Sequence, residues 1–128
     1  MEYLKGNDWQ HSRGFTPAIV VEGGRTVYLS GQSATEDAAG NDISYNFDAQ
    51  ARTNFSLINK TLQRAGGDLS NLVYTTVFIN DSRLGDSFVA IRKEHFPNGN
   101  FPADALITVS AFARPGIVLE IQGIAVIP

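Results

Sequence analysis

Two carboxylates stand where strand patterning calls for apolar residues. Asp104 opens the run "PADALITV", in which Ala105, Ile107 and Val109 alternate with Leu106, Thr108 and Ser110. Asp is a poor strand former, and a carboxylate at the entry of an apolar strand is unfavourable unless solvated or paired. Glu120 interrupts "GIVLEIQGIAVI" and shares side-chain parity with Val118, Gln122 and Ile124. Such a Glu is either a structural charge or a proton-transfer group in a cleft. A third polar point is Ser30-Gly31-Gln32, where Gly31 lets a ligand approach the backbone or simply permits a strand-end bend.

Other chemistries are poorly supplied. With no cysteine, the chain has no disulfide, thiolate nucleophile or cysteine zinc site. His11 and His95 are too far apart in sequence to suggest a metal site, and His95 suits the C-terminal end of a helix without further function. No Gly-Lys-Ser/Thr phosphate loop, Gly-x-Gly-x-x-Gly fingerprint or Gly-x-Ser-x-Gly elbow occurs.

The elements that must carry these residues read as β-β-α-β-α-β-β. "PAIVVEGGRTVYLSGQ" suggests two strands around a Gly23-Gly24 hairpin turn. Phe47, Ala51, Phe55, Ile58, Leu62 and Ala65 recur at helical spacing, with Asn46 as N-cap and Gly66-Gly67 as the stop. "NLVYTTVFIN" reads as a strand. A shorter helix over 86–96 places Phe88, Ile91 and His95 on one side. Strands over 105–111 and 117–127 follow, joined by the turn Arg114-Pro115-Gly116. This order predicts one mixed α+β sheet with both helices on one face. Tyr28, Val118, Ile124 and Val126 would then leave the other face apolar, which predicts burial against further copies of the chain.

A length of 128 residues fits a single domain, 1–128, with 1–14 as an N-terminal arm, and 43% apolar residues supply a core. The net charge of −3 and the lack of a basic block argue against nucleic acid as a partner. No signal-peptide pattern or membrane-spanning run appears, so a cytoplasmic protein is expected, and the Asn-x-Ser triplets at Asn54 and Asn80 are read as chance matches.

Taken together, "YLSGQ", "AQARTNFSLINKTLQRAGGDLSNLVYTTVFIND", "FPA" and "EIQGIAV" resemble the RidA/YjgF-type reactive-intermediate deaminases, from about Phe15 to Ile127. The resemblance implies a chorismate-mutase-like fold and a homotrimer whose sheets form a central barrel. It implies ligand clefts between subunits and no cofactor or metal. It also implies hydrolysis of small enamines and imines, such as 2-aminoacrylate-type acids, to ketones and ammonia. Such a site must orient the imine, hold a water and move protons.

Carried over by position, the family's water-positioning Glu is Glu120, and Ser30, Gly31 and Gln32 are in place. The pocket Tyr becomes Phe15, and a small polar or Cys position becomes Leu106. The Arg that grips the substrate carboxylate becomes Asp104. The expected site therefore has Glu120 and Asp104 as catalytic groups, with Phe15, Ser30, Gly31 and Leu106 binding substrate.

A carboxylate facing a substrate carboxylate about 4 Å away costs about 4 kcal/mol at an effective dielectric of about 20. If Asp104 and Glu120 line one pocket, it should prefer a neutral or cationic imine to the usual acids. Nothing in the sequence places Arg13, Arg52, Arg92 or Arg114 in the cleft as compensation. The competing readings are a non-catalytic trimer that binds a metabolite or partners an enzyme and, with least support, an endoribonuclease or translation inhibitor. A strand-end Asp104 that merely caps a backbone group is also open.

Overall fold

The computed structural model describes residues 1–128. Strand β1 (Glu2–Leu4) and the short helix α1 (Asp8–Ser12) precede β2 (Ala18–Val20) and β3 (Arg25–Gln32). Helix α2 (Phe47–Arg64), β4 (Leu72–Ile79), α3 (Gly85–His95), β5 (Ala103–Thr108) and β6 (Leu119–Ile127) complete the chain. From β2 onward the order is the expected β-β-α-β-α-β-β.

The main sheet runs β3-β6-β4-β5. β6 is antiparallel to both β3 and β4, whereas β5 runs parallel to β4. The parallel pair requires a crossover, and α3 supplies it. Helix α2 is capped by the Asn46 side chain, which accepts from the Ala49 N–H, and it carries Asp48 in its first turn. Its apolar stripe packs with α3 against the sheet, so that Phe55, Ile58, Leu62 and Phe88 meet Val77, Ile79, Leu119 and Ile121 in one core. His95 belongs to this packing. Its ring stacks 4.6 Å from Phe55, and its Nδ1 lies 2.9 Å from the Ile91 carbonyl. No helix is long and apolar enough to cross a membrane.

Two local expectations change. Gly23 and Gly24 do adopt positive φ, 70° and 80°, but β2 does not fold back on β3. It pairs instead with β1, through Glu2↔Val20, Tyr3↔Ile19 and Leu4↔Ala18. The N-terminal arm thus contains a strand that takes the partner role assigned to β3. Val118 and Val126 are also buried within the protomer, Val118 in the core cluster. The face opposite the helices instead exposes Tyr28, which is 79% accessible, with Tyr74 and Ile107 partly exposed.

Candidate functional site

Strand parity determines which candidates can meet. On β4, Thr75, Val77 and Ile79 are buried beneath the helices. Their parallel partners on β5 are Asp104, Leu106 and Thr108, so Asp104 and Leu106 point toward the helices. Glu120 pairs across from Phe78, between the fully buried Leu119 and Ile121, and so lies on the opposite, open face. Within one protomer the two carboxylates therefore do not share a pocket. Alternate residues of a strand face opposite ways, so the expected pocket between subunits would have to take the two carboxylates from different protomers.

Asp104 does not face solvent either. Its Oδ2 lies 2.7 Å from Nη1 of Arg92, with side-chain accessibilities of 4% and 2%. The Thr75 hydroxyl donates to Oδ1 at 2.6 Å. Arg92 is held from two further sides: Nη2 donates to the Arg13 carbonyl at 3.1 Å, and the guanidinium lies 5.0 Å from the centre of the Phe88 ring. The negative charge at position 104 is thus neutralised by an arginine from the crossover helix. Sequence reasoning named Arg92 without placing it. The available signal was its position on the apolar face of α3, four residues after Phe88 and beside Ile91.

The ion pair lines a cavity of about 140 Å³, whose other walls are Trp9, Arg13, Phe15, Val89 and Leu106. Three predicted positions, Phe15, Asp104 and Leu106, are therefore gathered here. The Phe15 segment is fastened to the entry of β5 by Thr16, whose hydroxyl donates to the Phe101 carbonyl at 2.7 Å and whose N–H donates to Pro102. Trp9 packs edge-on to Phe15 at 6.4 Å, and Arg13 pairs with Asp86 at 2.8 Å. Trp9 and Val89 lie outside the expected set, and Arg13, like Arg92, is named by the sequence but not placed by it, since neither the N-terminal arm nor α3 carries a local mark of a cavity wall.

Ser30, Gly31 and Glu120 form a second cluster. Ser30 and Gly31 are exposed near the end of β3, where the β3–β6 register shifts between Leu29 and Gln32. The Glu120 carboxyl lies against Gly31, and none of the protomer's ion pairs uses it. No group of three or more Asp, Glu or His side chains is arranged to hold a metal ion.

The family model described as Endoribonuclease L-PSP matches residues 10–127. The chain belongs to this RidA/YjgF family. It is 31% identical over 112 residues to the human 2-iminobutanoate/2-iminopropanoate deaminase, covering 88% of this chain and 79% of that protein. The Rid-family protein YyfB from Yersinia pestis superposes with a TM-score of 0.82 at 21% identity, covering 92% of this chain and 90% of its own. YyfA from the same organism gives 0.73 at 28% identity, covering 88% and 87%. The RidA-like fold is thus chorismate-mutase-like α+β, with both long helices on one face of a mixed sheet.

Proposed function

We propose that this RidA-family protein hydrolyses a small imine, or the enamine that tautomerises to it, releasing ammonia in a cleft between subunits of a homotrimer. The support is family membership, relatives named as imine deaminases, and two incomplete clusters on opposite faces of one sheet. The Phe15–Leu106 cavity supplies apolar walls, and Ser30, Gly31 and Glu120 supply polar groups. The exposed Tyr28–Tyr74 face, on which Glu120 also lies, offers the surface for association of copies, and the reading requires that a partner's cavity edge reach this Glu120.

The observation that carries the chemistry is the unpaired Glu120 carboxyl lying against Gly31. There it can accept a proton from water as the oxygen adds to the imine carbon. It can then return that proton to the departing nitrogen. Tautomerisation moves a proton, hydration forms the C–O bond, and collapse of the carbinolamine breaks the C–N bond as the hydroxyl gives up the second water proton and nitrogen leaves as ammonia; no electron is gained or lost, so the step calls for acid–base groups rather than a redox cofactor. Asp104, already engaged by Arg92 and Thr75, is left with a positioning role rather than a catalytic one.

The substrate we favour is a small neutral imine rather than a 2-aminoacrylate-type acid. No free guanidinium occupies position 104, and the Asp104–Arg92 pair is neutral overall. The same neutrality removes the earlier reason to expect a cation. Ammonia release from a panel of neutral and acidic imines, with Glu120→Gln as control, tests this. Faster turnover of the acids by the unaltered protein would refute the substrate assignment. Ligand binding without turnover of any imine would favour the non-catalytic metabolite-binding reading, which the engagement of Asp104 also supports. Cleavage of RNA is the least supported reading, given a net charge of −3.

A further inference from the structure

The Arg92–Asp104 pair has the form of an arginine holding a small acid, except that the acid belongs to the protein. Asp104 presents Oδ2 to Nη1 at 2.7 Å, while Thr75 fixes Oδ1. Arg92 is anchored independently of Asp104, by the Arg13 carbonyl and the face of Phe88. The approach of Nη1 to the carboxylate is close but off the N–H line, so neither Nη1 nor Nε makes an aligned hydrogen bond, and both are buried. Both members of the pair line the cavity of about 140 Å³, beside Phe15, Val89 and Leu106.

We propose that Asp104 fills an anion seat on Arg92 from within, so that the wild-type cavity excludes small monocarboxylates and removal of Asp104 opens it to them. The argument runs through what remains when the Asp104 carboxylate is gone. The guanidinium keeps two of its anchors and its charge, and it gains an empty volume that joins the cavity. Liquid water occupies about 30 Å³ per molecule, so the existing space already suits a ligand of a few heavy atoms. The apolar walls suit a short alkyl chain. A ligand with one carboxylate and a short tail, such as propionate, matches both features. Charge-assisted contacts of this kind are the strong ones in a water-poor site. The same seat would then set substrate choice in the proposed deaminase reaction. That part rests on the functional reading above, whereas the seat itself does not.

The test is chemical rescue. Purified wild type, Asp104→Ala, Asp104→Ser and the double variant Arg92→Met/Asp104→Ala are melted with formate, acetate or propionate, against chloride at equal ionic strength. Both single variants should gain about 3–6 °C in Tm once the carboxylate reaches roughly ten times its dissociation constant. Wild type and the double variant should respond no more than they do to chloride. If a single variant is recovered only unfolded, its refolding yield with and without propionate reads the same seat. Equal stabilisation of wild type, rescue that survives loss of Arg92, or absence of rescue in both single variants would each overturn the proposal. In the turnover arm, Asp104→Ala should shift the ratio of kcat/KM values toward an acidic imine by about tenfold or more. Rescue without turnover of any imine by any variant leaves the seat standing and removes the deaminase reading.

Discussion

The carboxyl of Glu120 lies directly over the Cα of Gly31: a Cβ built there would come within 2.7 Å of both Cδ and Oε2. The glycine is required by this close approach rather than by backbone conformation. Gly31→Ala must therefore displace the tip of a flexible side chain, a small disturbance to the fold but a large one to the position of that carboxylate. Imine hydrolysis should fall in Gly31→Ala nearly as far as in Glu120→Gln, where loss of a general base typically removes about 10²–10⁴-fold. Both variants should keep a near-native Tm. Full activity in Gly31→Ala would show that the present position of Glu120 does not matter.

The buried Arg92–Asp104 pair makes a stability prediction that needs no assay of function. Removing one member of a buried pair leaves an uncompensated charge, at a cost of about 3–5 kcal/mol, whereas replacing both with apolar groups is often neutral. Arg92→Met should thus lower the urea midpoint sharply, and Arg92→Met/Asp104→Leu should recover most of the loss. Asp104→Arg should be strongly destabilising, because it sets two guanidiniums together beneath the helices. Additive losses in the double variant would mean that the two residues act independently.

This pair also marks the limit of what was legible beforehand. Helix α2 could be read closely because Phe47, Ala51, Phe55, Ile58 and Leu62 form one stripe behind an Asn46 cap, and tertiary packing reinforces the same choice. Asp104 reads as anomalous in an apolar strand, and its counter-ion lies on α3, brought alongside by the crossover between β4 and β5. No local periodicity encodes that meeting. Strands β1 and β2 were harder still, since three-residue strands carry little alternation and their pairing depends on where the arm lies. The site positions came from family likeness. Their division between two faces follows from parity, which could have been applied to Asp104 and Glu120 once β4 was known to lie between β5 and β6.

Gln50 is a second buried polar device, fully enclosed on α2. Its Nε2 donates to the Ile43 carbonyl at 3.0 Å and to the Gly116 carbonyl at 2.7 Å, while its Oε1 accepts from the Val118 N–H at 3.0 Å. One side chain thus ties the loop before α2 to the segment that enters β6. Gln50→Leu preserves much of the volume but abandons three backbone groups, each costing about 1–3 kcal/mol if left buried and unmatched. The expected result is a loss of at least about 3 kcal/mol in chemical denaturation. A loss below about 1 kcal/mol would indicate that water replaces the clamp.

Asp81 predicts how stability responds to acid. Its carboxylate caps the turn before α3, accepting from the Arg83 backbone N–H at 2.9 Å and from Arg83 Nε at 3.0 Å. Hydrogen bonding from the Arg83 side chain, then from its backbone, lowers the Asp81 pKa to about 2. A carboxylate whose folded pKa lies below its unfolded value near about 3.9 stabilises the fold fully above the unfolded pKa. That stabilisation disappears as pH falls toward and through the folded value. Wild type should therefore exceed Asp81→Asn in stability by a constant margin between about pH 5 and 7, and the margin should shrink steadily from about pH 4 to pH 2. The comparison isolates this residue from other carboxylates whose pKa values are also lowered, such as Asp37 and Glu94. Paired urea titrations across that range measure the margin directly. A margin that stayed constant down to pH 2 would mean that Asp81 is not the group whose protonation weakens the turn.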